Sequence, residues 1–182
     1  MQELWENIIN ERKENTILMQ RLETCSKMIE ACLESNSTEK EKLELIKKVI
    51  RVSSEINDFR KTADIISDSA NQFVLDNGKK LRNGNISLPR EMKKKLRHEH
   101  LVPCSILANI IVSEKANDKA IYEVLLKNGI RAIITKEEDI KIDKMNLKSN
   151  MPLSWRLGDN PFIRYTESNV NKLSIKATKI SP

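Results

Sequence analysis

The only two histidines of the chain lie in one short run, Arg97-His98-Glu99-His100-Leu101-Val102-Pro103-Cys104-Ser105. An imidazole titrates near neutrality, so His100 could take a proton from water as a general base. Glu99 places a carboxylate directly beside it. The run therefore combines residue types that can transfer protons.

The same residues allow two other interpretations. In a purely structural one, a polar strand entry leads into the core, Pro103 ends the strand and Ser105 caps the next helix. His98 and His100, two residues apart on a strand, would then share one face and form local hydrogen bonds. A third interpretation is a metal bound by His98, His100 and Cys104, which is a thin ligand set for zinc.

Residues 99–105 resemble the first half of the HNH, or ββα-metal, nuclease motif, in which an acid and a histidine precede two aliphatic residues and a proline. The stretch is similar to that of the HNH domains of CRISPR effector nucleases. The resemblance implies that His100 is the general base and that Glu99 binds a divalent metal, magnesium or manganese. It implies a second strand at residues 130–134 and a helix after Thr135.

The resemblance also implies a far metal ligand, for which Asn146 is the first candidate. Asn150 and Asp143 are alternatives, and the ligand could be missing, since no histidine follows His100. Asn117 and Asn128 are candidates for the residue that orients the base. Two predicted helices fill the gap between the strands, so the motif would be an elongated version.

Positive charge is concentrated just before the histidines. Residues 79–97 contain eight Lys and Arg against one Glu, whereas residues 1–78 contain 11 against 15 Asp and Glu. A local excess of cations holds nucleic-acid phosphates by counterion release, although charge runs are often only solvated faces. The predicted nucleic-acid-binding residues are Arg90, Lys93, Lys94, Lys95 and Arg97.

Two long helices must precede this basic run. Apolar residues recur with alternating spacings of four and three, as in a coiled coil, at Leu45, Val49, Val52, Ile56, Phe59, Ala63, Ile66, Ala70 and Phe73. The same spacing occurs at Leu18, Leu22, Cys25, Ile29 and Cys32. Thr38 and Glu41 form a capping box after a short break, and Gly78 ends the second helix. The spacing predicts a long, coiled-coil-like antiparallel hairpin over residues 1–78.

The rest of the chain predicts a small mixed α/β module. Residues 79–97 form a basic linker that leads into a short helix, and the module covers residues 98–182. A helix is expected to begin at Ser105 and another to cover residues 118–128. A buried strand covers 130–134, a capping box at Thr135 begins the next helix, and 162–165 form another strand. Trp155-Arg156 and Arg164-Tyr165 either close the core or stack on a base.

Composition limits the classes of protein that fit. Apolar residues make up 39% of the chain and charged residues 32%, which is too apolar for disorder and too charged for a membrane protein. No apolar stretch reaches the roughly 18 residues of a membrane span, and the first residues lack the pattern of a signal peptide. Three cysteines are expected to act as small buried hydrophobes in the cytoplasm.

These observations predict a mostly α, α+β protein with a helical hairpin and an α/β module. The predicted function is nucleic-acid binding with an HNH-like, metal-dependent endonuclease module. The hairpin would form a homodimer or bind a protein partner. The alternative is a non-catalytic interaction protein, of phage or mobile-element type, that binds a protein or nucleic acid through its hairpin and basic surface.

Overall fold

The computed structural model describes residues 1–54, 63–81, 86–170 and 173–175, which hold nine helices and six strands. The helices are α1 (Gln2–Glu14), α2 (Thr16–Glu34), α3 (Glu39–Ser53), α4 (Asp68–Asn77), α5 (Arg90–Lys93), α6 (Cys104–Glu114), α7 (Asp118–Asn128), α8 (Lys136–Lys144) and α9 (Ile163–Glu167). The strands are β1 (Ile65–Ser67), β2 (Lys79–Lys80), β3 (Ile86–Ser87), β4 (Leu96–His100), β5 (Arg131–Thr135) and β6 (Leu173–Ile175). The described chain is a mostly α, α+β protein, as predicted.

Four strands form one mixed sheet in the order β4-β5-β1-β6. β5 is antiparallel to β4 and parallel to β1, and β6 is antiparallel to β1. β2 and β3 form a separate antiparallel pair. The central strand β5 is buried along its whole length, which suits its β-branched sequence. β4 is therefore the first strand in this order, and along the chain it leads into α6 and α7.

Three hydrophobic clusters hold the helices to the sheet and to each other. The largest joins α2 and α3 to α6 and α7, with Leu22, Ile50, Leu107 and Leu125 at its centre. The second joins α1 to β5, α8 and α9, and the third packs α4 against β1, β4 and β5. The helices before residue 78 thus share a core with those after residue 97. The assignment of separate functions to these segments stays a prediction.

Local signals confirm several predicted elements. The capping box at Thr38 begins α3, where Glu41 accepts the Thr38 N–H at 2.9 Å. The box at Thr135 begins α8 in the same way, with Glu138 as its acid. The helix predicted for residues 118–128 is α7, the strand predicted for 130–134 is β5, and the short basic helix is α5.

The prediction of one helix continuing to Gly78 is wrong. α3 ends at Ser53, and residues 65–67 form β1 before α4 begins. Ile65 and Ile66 are 0% and 2% exposed, because both faces of β1 are covered. Pairing of these β-branched residues with β5 outweighs the heptad spacing. α2 and α3 still pack together, as a shorter pair; the predicted seam residues Ile56 and Phe59 lie outside the described residues.

The buried face of α3 also differs from the predicted seam. Leu45 and Val52 are 49% and 41% exposed, whereas Ile46 and Ile50 are fully buried. α3 packs against α6 as well as α2, so it buries a face that lies between its two neighbours. Val49 of the predicted seam is buried, whereas Ile46 and Ser53 are buried in place of the neighbouring seam residues Leu45 and Val52.

The strand predicted at residues 162–165 is also wrong, because α9 begins at Ile163. The side chain of Asn160 accepts the backbone N–H of Phe162 at 2.9 Å, which turns the chain into the helix. Phe162 and Tyr165 are fully buried on one face of this short helix. Across the described ranges, no helix combines the length and apolar character that a membrane crossing requires.

Candidate functional site

The predicted site residues lie at the end of β4, which is antiparallel to β5. Glu99 is in register with Ala132, and His100 is in register with Arg131. β5 leads directly into α8 through the Thr135 capping box. Along the chain the order is β4, β5 and α8, with α6 and α7 placed between the two strands.

A fully buried arginine fixes the end of β4. Arg164 donates from Nη1 to the carbonyl of His100 at 2.7 Å and from Nε to the carbonyl of Leu147 at 2.6 Å. Its Nη2 donates to the carbonyl of Lys148 at 2.9 Å and lies 3.3 Å from Oε2 of Glu99. One guanidinium thus ties the strand end to the segment that follows α8. This burial agrees with the core-closing interpretation of Arg164.

The carboxylate of Glu99 is partly buried and has charged neighbours of both signs. Burial raises its pKa, and the positive charge of Arg164 opposes that rise. The negative charge of Asp139, in the first half of α8, also raises the pKa of Glu99, so the two carboxylates interact. Asp139 is 7% exposed; its Oδ2 lies 3.6 Å from Nε of Arg97 and 3.7 Å from Nζ of Lys148. Its Oδ1 is buried without a hydrogen-bond partner among the described atoms.

His100 is neutral at physiological pH. Burial, together with the nearby charges of Arg131 and Arg51, lowers its pKa to about 3. Its Nε2 lies 2.9 Å from Oγ of Ser54, the C-cap residue of α3. The Ser54 hydroxyl donates its single proton to the carbonyl of Arg51 at 3.1 Å, since a carbonyl can only accept. The hydroxyl can therefore accept from His100 Nε2, and the donor and acceptor roles of this pair are set by the imidazole tautomer.

Glu99 and His100 line one open pocket of about 360 Å³. The other lining residues come from α3, from β4 and β5, from the start of α6 and from the segment after α8. They are Lys47, Arg51, His98, Pro103, Cys104, Ser105, Arg131, Lys148 and Ser149. Four of the lining side chains are cationic and one is a carboxylate, so the pocket attracts anions. Burial raises the pKa of the Cys104 thiol to about 11, which keeps this thiol protonated and weakly nucleophilic.

The structure does not bring Asn146 into this pocket. Asn146 is exposed at the end of α8, with a left-handed backbone φ of 58°, and its carbonyl accepts a hydrogen bond from Asn150. Its role as a metal ligand stays a prediction. Over the residues that the structure describes, no group of three or more His, Cys, Asp and Glu side chains is arranged to hold a metal ion.

The remaining donors fit a hard cation only in part. Glu99 and Asp139 supply carboxylate oxygens, and the buried Oδ1 of Asp139 has no hydrogen-bond partner among the described atoms. Against this, Arg164, Arg97 and Lys148 already face these two carboxylates. A divalent cation would therefore have to compete with charges that the protein itself provides.

The predicted basic residues lie outside the pocket. Lys94 pairs with Glu91 at 2.9 Å on α5, and Arg97 donates to the carbonyls of Lys94 and Leu96. Lys95 and Arg90 are exposed. Their part in nucleic-acid binding stays a prediction.

Sequence reasoning missed the residues that reach the pocket from distant elements. Ser54 caps the end of α3 and lies 46 residues before His100, and Arg51 lies in the last turn of this helix. No local motif marks them, and only the packing of α3 against α6 brings them to the site. Asp139 was accessible to sequence reasoning as an acid in the helix after the second strand.

Comparison with known proteins gives no relative on which to base a function. No protein-family model, no curated protein and no solved structure matches this chain significantly.

Proposed function

We propose that this protein binds nucleic acid and hydrolyses a phosphodiester with an HNH-like site at Glu99 and His100. One observation carries the proposal: both side chains line an open pocket whose other charged residues are four cations. Such a pocket attracts a phosphate and places it beside a potential base. The order of β4, β5 and α8 supports the same site.

His100 would act as the general base. Its imidazole is neutral and keeps a lone pair for a proton from water, and its contact with Ser54 orients the ring. A pKa of about 3 makes this imidazole a weak base. The cations around the pocket would stabilise the charge that builds up on the phosphate in the transition state. A magnesium or manganese ion held by Glu99 and Asp139 would supply Lewis-acid stabilisation when bound.

Single-turnover digestion of single- and double-stranded DNA and RNA, with magnesium or manganese, tests this proposal. His100→Ala should abolish cleavage and leave binding nearly unchanged, because the base acts only in the transition state. His98→Ala is the matched control, since His98 lies two residues away and lines the same pocket. Glu99→Ala should also weaken metal binding. Absence of cleavage by the unmodified protein, or equal activity of His100→Ala and His98→Ala, would refute the nuclease proposal.

The second candidate is a non-catalytic interaction protein of phage or mobile-element type that binds a protein or nucleic acid. It is favoured by the three cations that already face Glu99 and Asp139, which lower the need for a metal. Loss of nucleic-acid affinity on raising salt fits both candidates. Metal-dependent cleavage fits only the first.

The partner surfaces belong to the proposal as well. The exposed apolar residues Leu45 and Val52 on α3, with Ile17 and Met28 on α2, provide a surface for a homodimer or a protein partner. The exposed cations of residues 90–97 would extend the nucleic-acid contact. Cys25, Cys32 and Cys104 are free thiols, as expected in the reducing environment of the proposed cytoplasmic location.

A further inference from the structure

One wall of the His100 pocket comes from outside the strand-strand-helix unit. Lys47 and Arg51 are four residues apart on α3, so they lie on one face of this helix and both line the pocket. Lys47 forms a 2.8 Å ion pair with the exposed Glu44. Arg51 is exposed, and its guanidinium makes no hydrogen bond or ion pair with the described residues, so it is available to a ligand.

The opposite wall is the segment after α8. Lys148 is half-exposed in the pocket, and its backbone carbonyl is fixed by the buried guanidinium of Arg164 at 2.9 Å. Its ammonium lies 3.7 Å from Asp139, which leaves two of its three donor directions for a ligand. The two walls thus present cations from separate elements toward the same space.

The floor of the pocket is also positive. Arg131 is 4% exposed and lines the pocket from β5, where it is in register with His100. Cys104 and Ser105 line the pocket at the first turn of α6, an 11-residue helix with no side-chain cap at its N-terminus. The positive end of the helix dipole adds to the field of the side chains there.

We propose that Lys47, Arg51 and Lys148 form a phosphate-binding subsite that holds the sugar-phosphate backbone of nucleic acid beside His100. The inference rests on the proposed function for the identity of the ligand, and it adds a binding role for α3. A phosphodiester is the chemistry that fits best, because its oxygens can accept from a planar guanidinium and from ammonium groups on two sides. A linear polyanion can cross an open pocket and contact both walls.

The two parts of the pocket would have different roles. Ser54, which caps the end of α3, contacts His100, and Arg51 lies in the last turn of that helix. A phosphate bound to Arg51 would therefore be held by the same helix end that orients the imidazole. The subsite positions the backbone, whereas His100 acts on the reacting linkage.

The test is fluorescence anisotropy with a labelled single-stranded DNA oligonucleotide, in EDTA so that no metal-dependent cleavage occurs. Arg51→Gln and Lys148→Gln should each raise Kd by roughly three- to tenfold and reduce the slope of log Kd against log salt by about one. Lys48→Gln is the matched control, because Lys48 is exposed on the same helix and does not line the pocket. Competition by inorganic phosphate should weaken oligonucleotide binding to the unmodified protein more than to Arg51→Gln.

Equal Kd values for Arg51→Gln, Lys48→Gln and the unmodified protein would overturn the subsite. An equal loss in Arg51→Gln and Lys48→Gln would also overturn it, because that result would indicate a diffuse positive field. Thermal melting should show that both variants stay folded, since both side chains are exposed. If Arg51→Gln weakens binding and the unmodified protein cleaves nothing, the subsite stands and the nuclease proposal fails. If the protein cleaves and Arg51→Gln binds normally, the reverse holds.

Discussion

Replacement of Arg164 by alanine should destabilise the protein severely. The side chain is fully buried and donates to four carbonyls, those of Leu147, His100, Lys148 and Leu101, at 2.6, 2.7, 2.9 and 3.4 Å. A buried acceptor that loses its donor costs about 1–3 kcal/mol, and a buried charge left without its partner costs about 3–5 kcal/mol. Entry of water into the new cavity recovers part of this cost. We expect a loss of roughly 4–6 kcal/mol, which is a large share of the about 5–15 kcal/mol that stabilises a typical domain.

Urea unfolding followed by circular dichroism measures this loss. Arg156→Ala is the matched control: Arg156 also donates to two carbonyls, at 2.8 and 2.9 Å, but it is exposed to water. Water can replace those bonds, so the control should lose less than about 0.5 kcal/mol. The reasoning is refuted if Arg164→Ala loses less than about 2 kcal/mol, or no more than Arg156→Ala does.

Three further results are expected. His100 has a pKa lowered to about 3 in the folded protein, whereas in the unfolded chain it takes a proton below about 6.5. The free energy of unfolding should therefore fall as pH decreases from about 6.5 toward 3. Urea titrations of His100→Gln should show that most of this fall is lost. Replacing Lys93, Lys94 and Lys95 together by alanine should weaken nucleic-acid binding equally for all sequences and reduce the dependence of the affinity on salt. Unchanged filter-binding curves would exclude the basic run from the interface. The Leu45 side chain is 49% exposed, so Leu45→Asp should leave the fold intact and convert a dimer to a monomer in light scattering. If the unmodified protein is itself a monomer, the proposed dimer is excluded.

Elements encoded by a few neighbouring residues could be predicted from the sequence. The capping box of Thr135 and Glu138 and the β-branched strand before it need no distant partner to be recognised. The bounds of α7 follow from an Asn that caps its first turn and a Gly that follows its last. These elements include the strand and the helix that position the candidate site.

Features that depend on distant contacts could not be predicted. Ile65 and Ile66 fit a heptad pattern, and only the neighbouring strands β5 and β6 make them a strand. Arg164 contacts the carbonyl of His100 from 64 residues away, so no spacing along the chain reveals it. The same holds for Ser54 and Arg51, whose contribution to the pocket depends on how α3 packs.

The strand order has a consequence for synthesis of the protein on the ribosome. β1 lies between β5 and β6, so residue 65 pairs with residue 132 on one side and with residue 175 on the other. At about 5–20 residues per second, roughly 5–20 s separate the synthesis of β1 from that of its last neighbour. Until β5 is made, roughly 3–13 s after β1, the Ile65-Ile66 pair has no strand to join, and until β6 is made one apolar edge of β1 stays open to pairing with other chains. The nascent chain should therefore depend on holding chaperones, while α2 and α3 already pack together.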